Sequence, residues 1–259
     1  MQVLHQPKAP QINRPLEGRT ALVTGGARRL GRAISITLAD AGADVLVQYR
    51  TAGADVDELV DALRSRGARA SAINADFSKP GAPEKLLTAA NTTLANPPDI
   101  LVNNASSFPK KTWTQATEQD LLESLRVNAW APLDLIREFA KRTDKGTAIN
   151  VLDARLFDPD PLRLTYSLAK HMLAQVTHIA ARELAPRIRV NAIAPGPVLA
   201  PVDAPHLDVQ RLRRHLPLPD APTPEDVAAA VVFLTQANST TGHTLYVDGG
   251  LHLLGATQS

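Results

Sequence analysis

Short apolar runs alternate along this chain with longer stretches whose apolar positions recur every three or four residues. The runs at 21–24, 44–49, 70–75, 100–103, 148–152, 189–193 and 244–247 are near-continuously apolar. That is the signature of strands buried on both faces. Between them lie helical patterns, among them 33–38, about 117–142 and about 164–184. Thr223-Pro224-Glu225-Asp226 reads as a helix start, with an N-cap hydroxyl, a first-turn proline and two acids. Seven strands separated mostly by helices predict an α/β fold with a doubly wound parallel sheet and helices on both faces. No internal repeat and no second domain is visible.

The pattern also marks what lies outside the sheet. Residues 1–17 are polar, carry Pro7, Pro10 and Pro15, and read as a flexible extension. Residues 18–259 then form a single domain. Within it, 195–224 holds Pro195, Pro197, Pro201, Pro205, Pro217, Pro219, Pro222 and Pro224. This segment follows the sixth strand, on the edge where open α/β sheets bind ligands, and is expected to act as a substrate loop.

Composition narrows the class. An apolar content of 44% in 259 residues suits one large core. A net charge of +2 gives no nucleic-acid surface, and the cluster Arg211, Arg213 and Arg214 is expected to be a solvated face. The absence of cysteine excludes disulfides, thiolate catalysis and cysteine metal sites. No metal site is expected. No run reaches a membrane span, and the N-terminus lacks an apolar signal core, so a cytoplasmic enzyme is expected.

Two regions carry chemistry. A strand, Ala21-Leu22-Val23, enters Thr24-Gly25-Gly26-Ala27-Arg28-Arg29-Leu30-Gly31 and then a helix. Strand, glycine turn and helix let backbone N–H groups and a helix N-terminus hold a pyrophosphate. Further on, Tyr166 and Lys170 stand at i and i+4 on one helix face. An ammonium beside a phenol is expected to lower the phenol's pKa and make Tyr166 a usable acid. Asp153, thirteen residues earlier and at the end of an apolar run, can face the phenol.

Thr24-Gly25-(x5)-Gly31, Asp76, Asn103-Asn104-Ala105, Asn128, Tyr166-(x3)-Lys170 and Pro195-Gly196 together resemble the short-chain dehydrogenase/reductase family, over roughly 18–250. The sequence departs from that family in two places: Arg29 stands where most members have glycine, and Asp153 where most have serine. Both departures, with Asn104-Ala105-Ser106-Ser107-Phe108, resemble the pteridine reductase branch, including dihydromonapterin reductases. The resemblance implies a Rossmann-like fold and a homotetramer. It implies cofactor contacts from Gly25, Arg28, Arg29, Leu30 and Gly31, from Tyr49, Arg50 and Thr51, and from Asp76 and Phe77. Asn104, Ala105, Ser106, Tyr166, Lys170, Pro195, Gly196 and Val198 complete that set. It also implies that Asn128 supports a water leading to Lys170.

The residues themselves bear on cofactor and substrate. The second strand ends Tyr49-Arg50-Thr51, without the acid that would select NAD, while Arg50 and Arg28 are available to a 2′-phosphate. NADPH is the expected cofactor. A carboxylate at 153 is a poor partner for a ketone oxygen, since both accept, but a good one for the N–H and NH2 groups of a pterin. Phe108 can stack on a flat ring, Ser106 can hydrogen-bond it, and Arg29 can span cofactor phosphate and substrate. The expected reaction is hydride transfer from NADPH to a dihydropterin. Tyr166 supplies the proton, Lys170 tunes it, and Asp153 orients the ring. Which ring nitrogen is protonated, and by which group, stays open. The alternatives are a carbonyl or 3-oxoacyl thioester reductase, expected to keep serine at 153, and a non-catalytic NADP(H) sensor, expected to lose the tyrosine or lysine.

Overall fold

The computed structural model of the protein describes residues 14–156, 158–206, 214, 216–218 and 222–254. Arg211, Arg213, most of the N-terminal extension and part of the proline-rich loop lie outside the described residues, while Arg214 is exposed.

The first half of the sheet comprises β1 (Thr20–Thr24), β2 (Asp44–Tyr49), β3 (Ala70–Asn74) and β4 (Ile100–Asn103). The second comprises β5 (Gly146–Val151), β6 (Ile188–Pro195) and β7 (Thr244–Val247). Their order is β3-β2-β1-β4-β5-β6-β7, with every pairing parallel. The predicted doubly wound sheet is therefore observed. The order reverses between β1 and β4, and the crevice beyond the carboxyl ends of those strands is where such sheets bind ligands.

Alternation along each strand feeds two cores. Ala21 and Val23 face α1 (Arg29–Asp40), α2 (Ala54–Ser65) and the helix following the proline-rich loop, whose buried members include Leu38, Leu59 and Val231. Leu22 faces the opposite layer, with Leu86 of α3 (Ala82–Thr93), Phe139 of α5 (Ala131–Arg142) and Leu173 of α6 (Leu164–Leu184). The helix after the proline-rich loop is α7 (Pro224–Gln236). It starts as expected: the Thr223 hydroxyl accepts from Asp226 N at 3.2 Å, and Asp226 accepts from Thr223 N at 2.8 Å.

Three details differ from expectation. Leu16 is fully buried and its N–H donates to the Ala41 carbonyl at 2.9 Å, so a loose extension through residue 17 gives way to packed chain. The long pattern at 117–142 is α4 (Glu118–Leu125) and α5 joined by a π-turn, Arg126–Trp130. Pro132 explains the turn, because its ring clashes with the carbonyl four residues back, that of Asn128. β5 stops at Val151, so Asp153 sits two residues beyond the strand. Among the described residues no helix is long and apolar enough to cross a membrane.

Candidate active site

The glycine turn is held from three strands. Gly25 N–H donates to the Gln48 side-chain carbonyl at 2.8 Å, and Gly26 N–H to the Gln48 backbone carbonyl at 3.1 Å. Gln48 Nε2 donates onward to the Ala75 carbonyl at 2.6 Å. From β4, Asn104 Nδ2 donates to Thr24 O at 2.9 Å and Gly25 O at 3.2 Å. The Thr24 hydroxyl accepts from the N–H groups of Asn104 and Ala105 at 2.9 and 3.0 Å. Gln48 was invisible in the sequence as a site residue, because a lone glutamine inside an apolar run carries no spacing signal.

The turn is closed to a side chain at Gly31 and tight at Gly25. A Cβ at Gly31 would lie 2.1 Å from the Gly25 carbonyl oxygen, and one at Gly25 would lie 3.0 Å from Ala105 Cα. Arg29 takes φ +52°, the left-handed conformation in which glycine is the easy choice. Among the described residues it is the one non-glycine residue with positive φ. Its guanidinium donates to the Ala200 carbonyl in the segment after β6. Leu30 packs inward against the core. The N-terminus of α1 has no acid in its first turn and no side-chain cap on its N–H groups. Glycines with little or no space for a Cβ and an acid-free helix start fit a pyrophosphate.

At the end of β2, Tyr49 is half-buried, while Arg50 and Thr51 are exposed. Arg28 is engaged rather than available: Nη2 donates to Asp55 Oδ1 at 2.9 Å and Nε to Oδ2. Asp55 is in the first turn of α2. Asp76 accepts from Ser78 N–H at 3.0 Å. That bond, chiefly, holds its carboxyl below the usual range, with Arg50 contributing through space. The Phe77 side chain is buried in the core with Leu86 and Leu135. On the far side, Gly196 N–H donates to Val247 O at 3.0 Å beside the end of β6 at Pro195, and Val198 is buried. A Cβ at Gly196 would lie 2.7 Å from Asp248 Cα.

The catalytic candidates do meet. Tyr166 donates its phenol proton to Asp153 Oδ2 at 2.9 Å, and Asp153 Oδ1 accepts from Arg155 N–H at 2.8 Å. Lys170 is 3% exposed and donates to the Val151 carbonyl at 2.6 Å, with its nitrogen 5.6 Å from the centre of the Tyr166 ring. This corrects the expected electrostatics. The Tyr166 pKa is raised well above its ordinary value, by burial first and then by the Asp153 charge and hydrogen bond. Burial lowers Lys170 to about 8, against the pull of Asp153. The lysine is turned to a carbonyl, and the phenol's near neighbour is an anion.

Asn128, at the π-turn, spends its amide on the loop after β4. Its oxygen accepts from Ser106 Oγ at 2.8 Å and Ser107 N–H at 2.9 Å, and its nitrogen donates to Ser107 O at 3.0 Å and Ser124 Oγ at 3.1 Å. Thus Asn128 sets the course of Ser106, Ser107 and Phe108. Phe108 meets Tyr166 edge to face, with centroids 4.5 Å apart at 87°. The Arg163 guanidinium lies 4.0 Å over the Phe108 ring. Neither Arg163 nor its partner Asp203 was singled out in the sequence, since both sit in irregular stretches without motif spacing.

A family model described as enoyl-(acyl carrier protein) reductase matches residues 25–252. An uncharacterised oxidoreductase of Mycobacterium tuberculosis is 34% identical over 252 residues, covering 91% of this chain and 93% of that one. The chain belongs to the short-chain dehydrogenase/reductase family. It is an oxidoreductase by that membership. The 3beta-hydroxysteroid dehydrogenase 1 of Eggerthella lenta is 33% identical, covering 92% of this chain and 95% of its own. The structure is also similar to FolM alternative dihydrofolate reductase 1 from Brucella suis in complex with NADP. That similarity has a TM-score of 0.88 and 31% identity, and covers 94% of this chain and 98% of the other.

Proposed function

We propose that this protein is an NADPH-dependent pteridine reductase acting on dihydropterins, with residues 18–259 as one reductase domain. The observation that carries this reading is the Tyr166–Asp153 hydrogen bond of 2.9 Å at the crevice. A carboxylate there repels a ketone oxygen and welcomes the N–H and NH2 edge of a pterin. The likeness to an alternative dihydrofolate reductase supports it. Bound NADPH supplies the hydride. Gly25, Arg29, Leu30 and Gly31 would hold its pyrophosphate. Arg50, and Arg28 on exchanging Asp55 for phosphate, would hold the 2′-phosphate. Asp76, Asn104, Ala105, Pro195, Gly196 and Val198 would flank the remainder.

Tyr166 keeps its proton until substrate arrives, because burial and Asp153 oppose the phenolate. Asp153 orients the ring and shares the proton at its Oδ2. Lys170, fixed on the Val151 carbonyl, places a positive charge behind the phenol. Asn128 holds Ser106 in place for the ring, and Phe108 offers its open face to it.

The competing reading is a carbonyl reductase, favoured by the hydroxysteroid dehydrogenase relative. NADPH oxidation is followed with dihydrobiopterin, dihydromonapterin, dihydrofolate, an acetoacetyl thioester and a 3-oxosteroid. Turnover of a dihydropterin above the two ketones is expected. Asp153→Ser and Asp153→Asn should each lower pterin turnover about tenfold or more, on the scale of a lost charged hydrogen bond, while NADPH binding persists. Ketone turnover alone, or full pterin turnover by both variants, would overturn the assignment.

We also propose a homotetramer. Leu122, Trp130, Leu168 and Ile179 are exposed large apolar side chains on α4, the π-turn and α6. A monomer by light scattering at micromolar concentration would contradict it.

A further inference from the structure

One buried charge beside the site acts on the Tyr166 proton only through space, opposing the rise caused by burial and Asp153. Arg163, immediately ahead of α6, is 6% exposed. Its Nη1 donates to the Phe108 carbonyl at 2.6 Å, and its Nη2 to Asp203 at 2.8 Å. The same guanidinium covers one face of the Phe108 ring at 4.0 Å. The backbone is fastened at that point too. Lys111 N–H donates to Leu162 O at 2.9 Å, and Leu164 N–H to Lys111 O at 3.0 Å. Three segments distant in sequence therefore meet at one cation: the loop after β4, the approach to α6 and the segment after β6.

A buried guanidinium costs free energy unless its donors are paired. Here an aromatic face, a carbonyl and a carboxylate share it, an arrangement that suits a rigid planar fork and does not suit an ammonium. Phe108 is 39% exposed, with one face under Arg163 and Tyr166 set edge to face with it. The exposed part of the ring lies beside the Tyr166 phenol. Asp203 is on the segment that Arg29 also ties down, through the Ala200 carbonyl. That segment is held from both banks of the crevice.

We propose that Arg163 is a positioning residue: it holds Phe108 with one face open to a flat ring and, through Asp203, fastens the segment after β6 beside that face. The flat ring rests on the pteridine reading; the fastening of the segment does not. Arg163 touches neither cofactor nor the reacting atoms in this scheme, so its removal should be read in binding and local order before chemistry.

The test compares wild type, Arg163→Lys and Asp203→Asn, each saturated with NADPH. Amide hydrogen exchange over 198–206 is measured beside KM and kcat for dihydrobiopterin. Both variants should speed exchange in that segment by about twofold to fivefold, the range of a partly exposed ion pair. KM should rise by a similar factor and kcat change less, with strand exchange unaltered as the sign of an intact fold. Exchange at the wild-type rate in both variants overturns the fastening. Faster exchange with an unchanged KM overturns the role as a wall for substrate. If wild type reduces no dihydropterin, the pteridine reading fails, while the exchange result still decides the fastening.

Discussion

On the cofactor bank of the crevice, the constraints are on the backbone. Gly31 has no room for a Cβ and Gly25 little, and Thr24, Gln48 and Asn104 tie main-chain groups of β1, β2 and β4 together. On the substrate bank, the constraints are between side chains: Tyr166 on Asp153, Phe108 against Tyr166 and Arg163, Arg163 on Asp203. The first arrangement accepts any ligand with the same phosphate skeleton. The second is built of side chains, so a single substitution alters it without moving the backbone.

If the division holds, substitutions on the two banks should separate cofactor binding from turnover. The largest effect is expected at Tyr166→Phe, which keeps the ring against Phe108 and deletes the proton. Turnover should fall about 100-fold or more, the scale of general acid catalysis, while NADPH fluorescence titration shows unchanged affinity. Loss of NADPH binding in this variant would break the comparison.

Next comes Gly31→Ala. Its Cβ would meet the Gly25 carbonyl at 2.1 Å, and the obstacle is backbone. The variant should lose NADPH affinity by about tenfold or more and unfold at lower urea, a cost of roughly 1–3 kcal/mol for overpacking. A variant with normal melting and normal NADPH affinity would show that the turn is not the rigid element described.

The smallest effect is expected at Asp55→Asn. Asp55 holds Arg28 in the structure, so the neutral side chain should release the guanidinium to a 2′-phosphate. NADPH should bind modestly tighter in the variant, NADH no differently, and the gain should shrink as salt is raised, since the pair is exposed. Weaker NADPH binding would show that Asp55 places Arg28 correctly rather than competing for it.

The same division explains what could be read from the chain in advance. The sheet was legible because strands buried on both faces announce themselves as apolar runs; 44–49, 100–103 and 244–247 match to the residue. The Tyr166, Lys170 and Asp153 neighbourhood was legible because two of its members share a helix face and the third follows a strand. The direction of the tyrosine's shift was not. It depends on which way the Lys170 nitrogen points and how dry the phenol is, and spacing reports neither. Gln48, Arg163 and Asp203 were illegible for a related reason: each acts through partners 23 to 55 residues away.

Lys170 has one more consequence, for covalent chemistry. An amine with a pKa of about 8 carries a free lone pair far more often at neutral pH than surface lysines do. Against a reference of about 10.5, the uncharged fraction at pH 7 is roughly 300-fold larger. Lys170 therefore offers an uncharged amine more often than a solvated lysine would, yet it is walled in at 3% exposure. Acylating reagents that need a neutral amine are drawn to it by reactivity and kept from it by access. The rate at which Lys170 is acylated would then count how often the crevice opens, and a bound nucleotide would silence the signal.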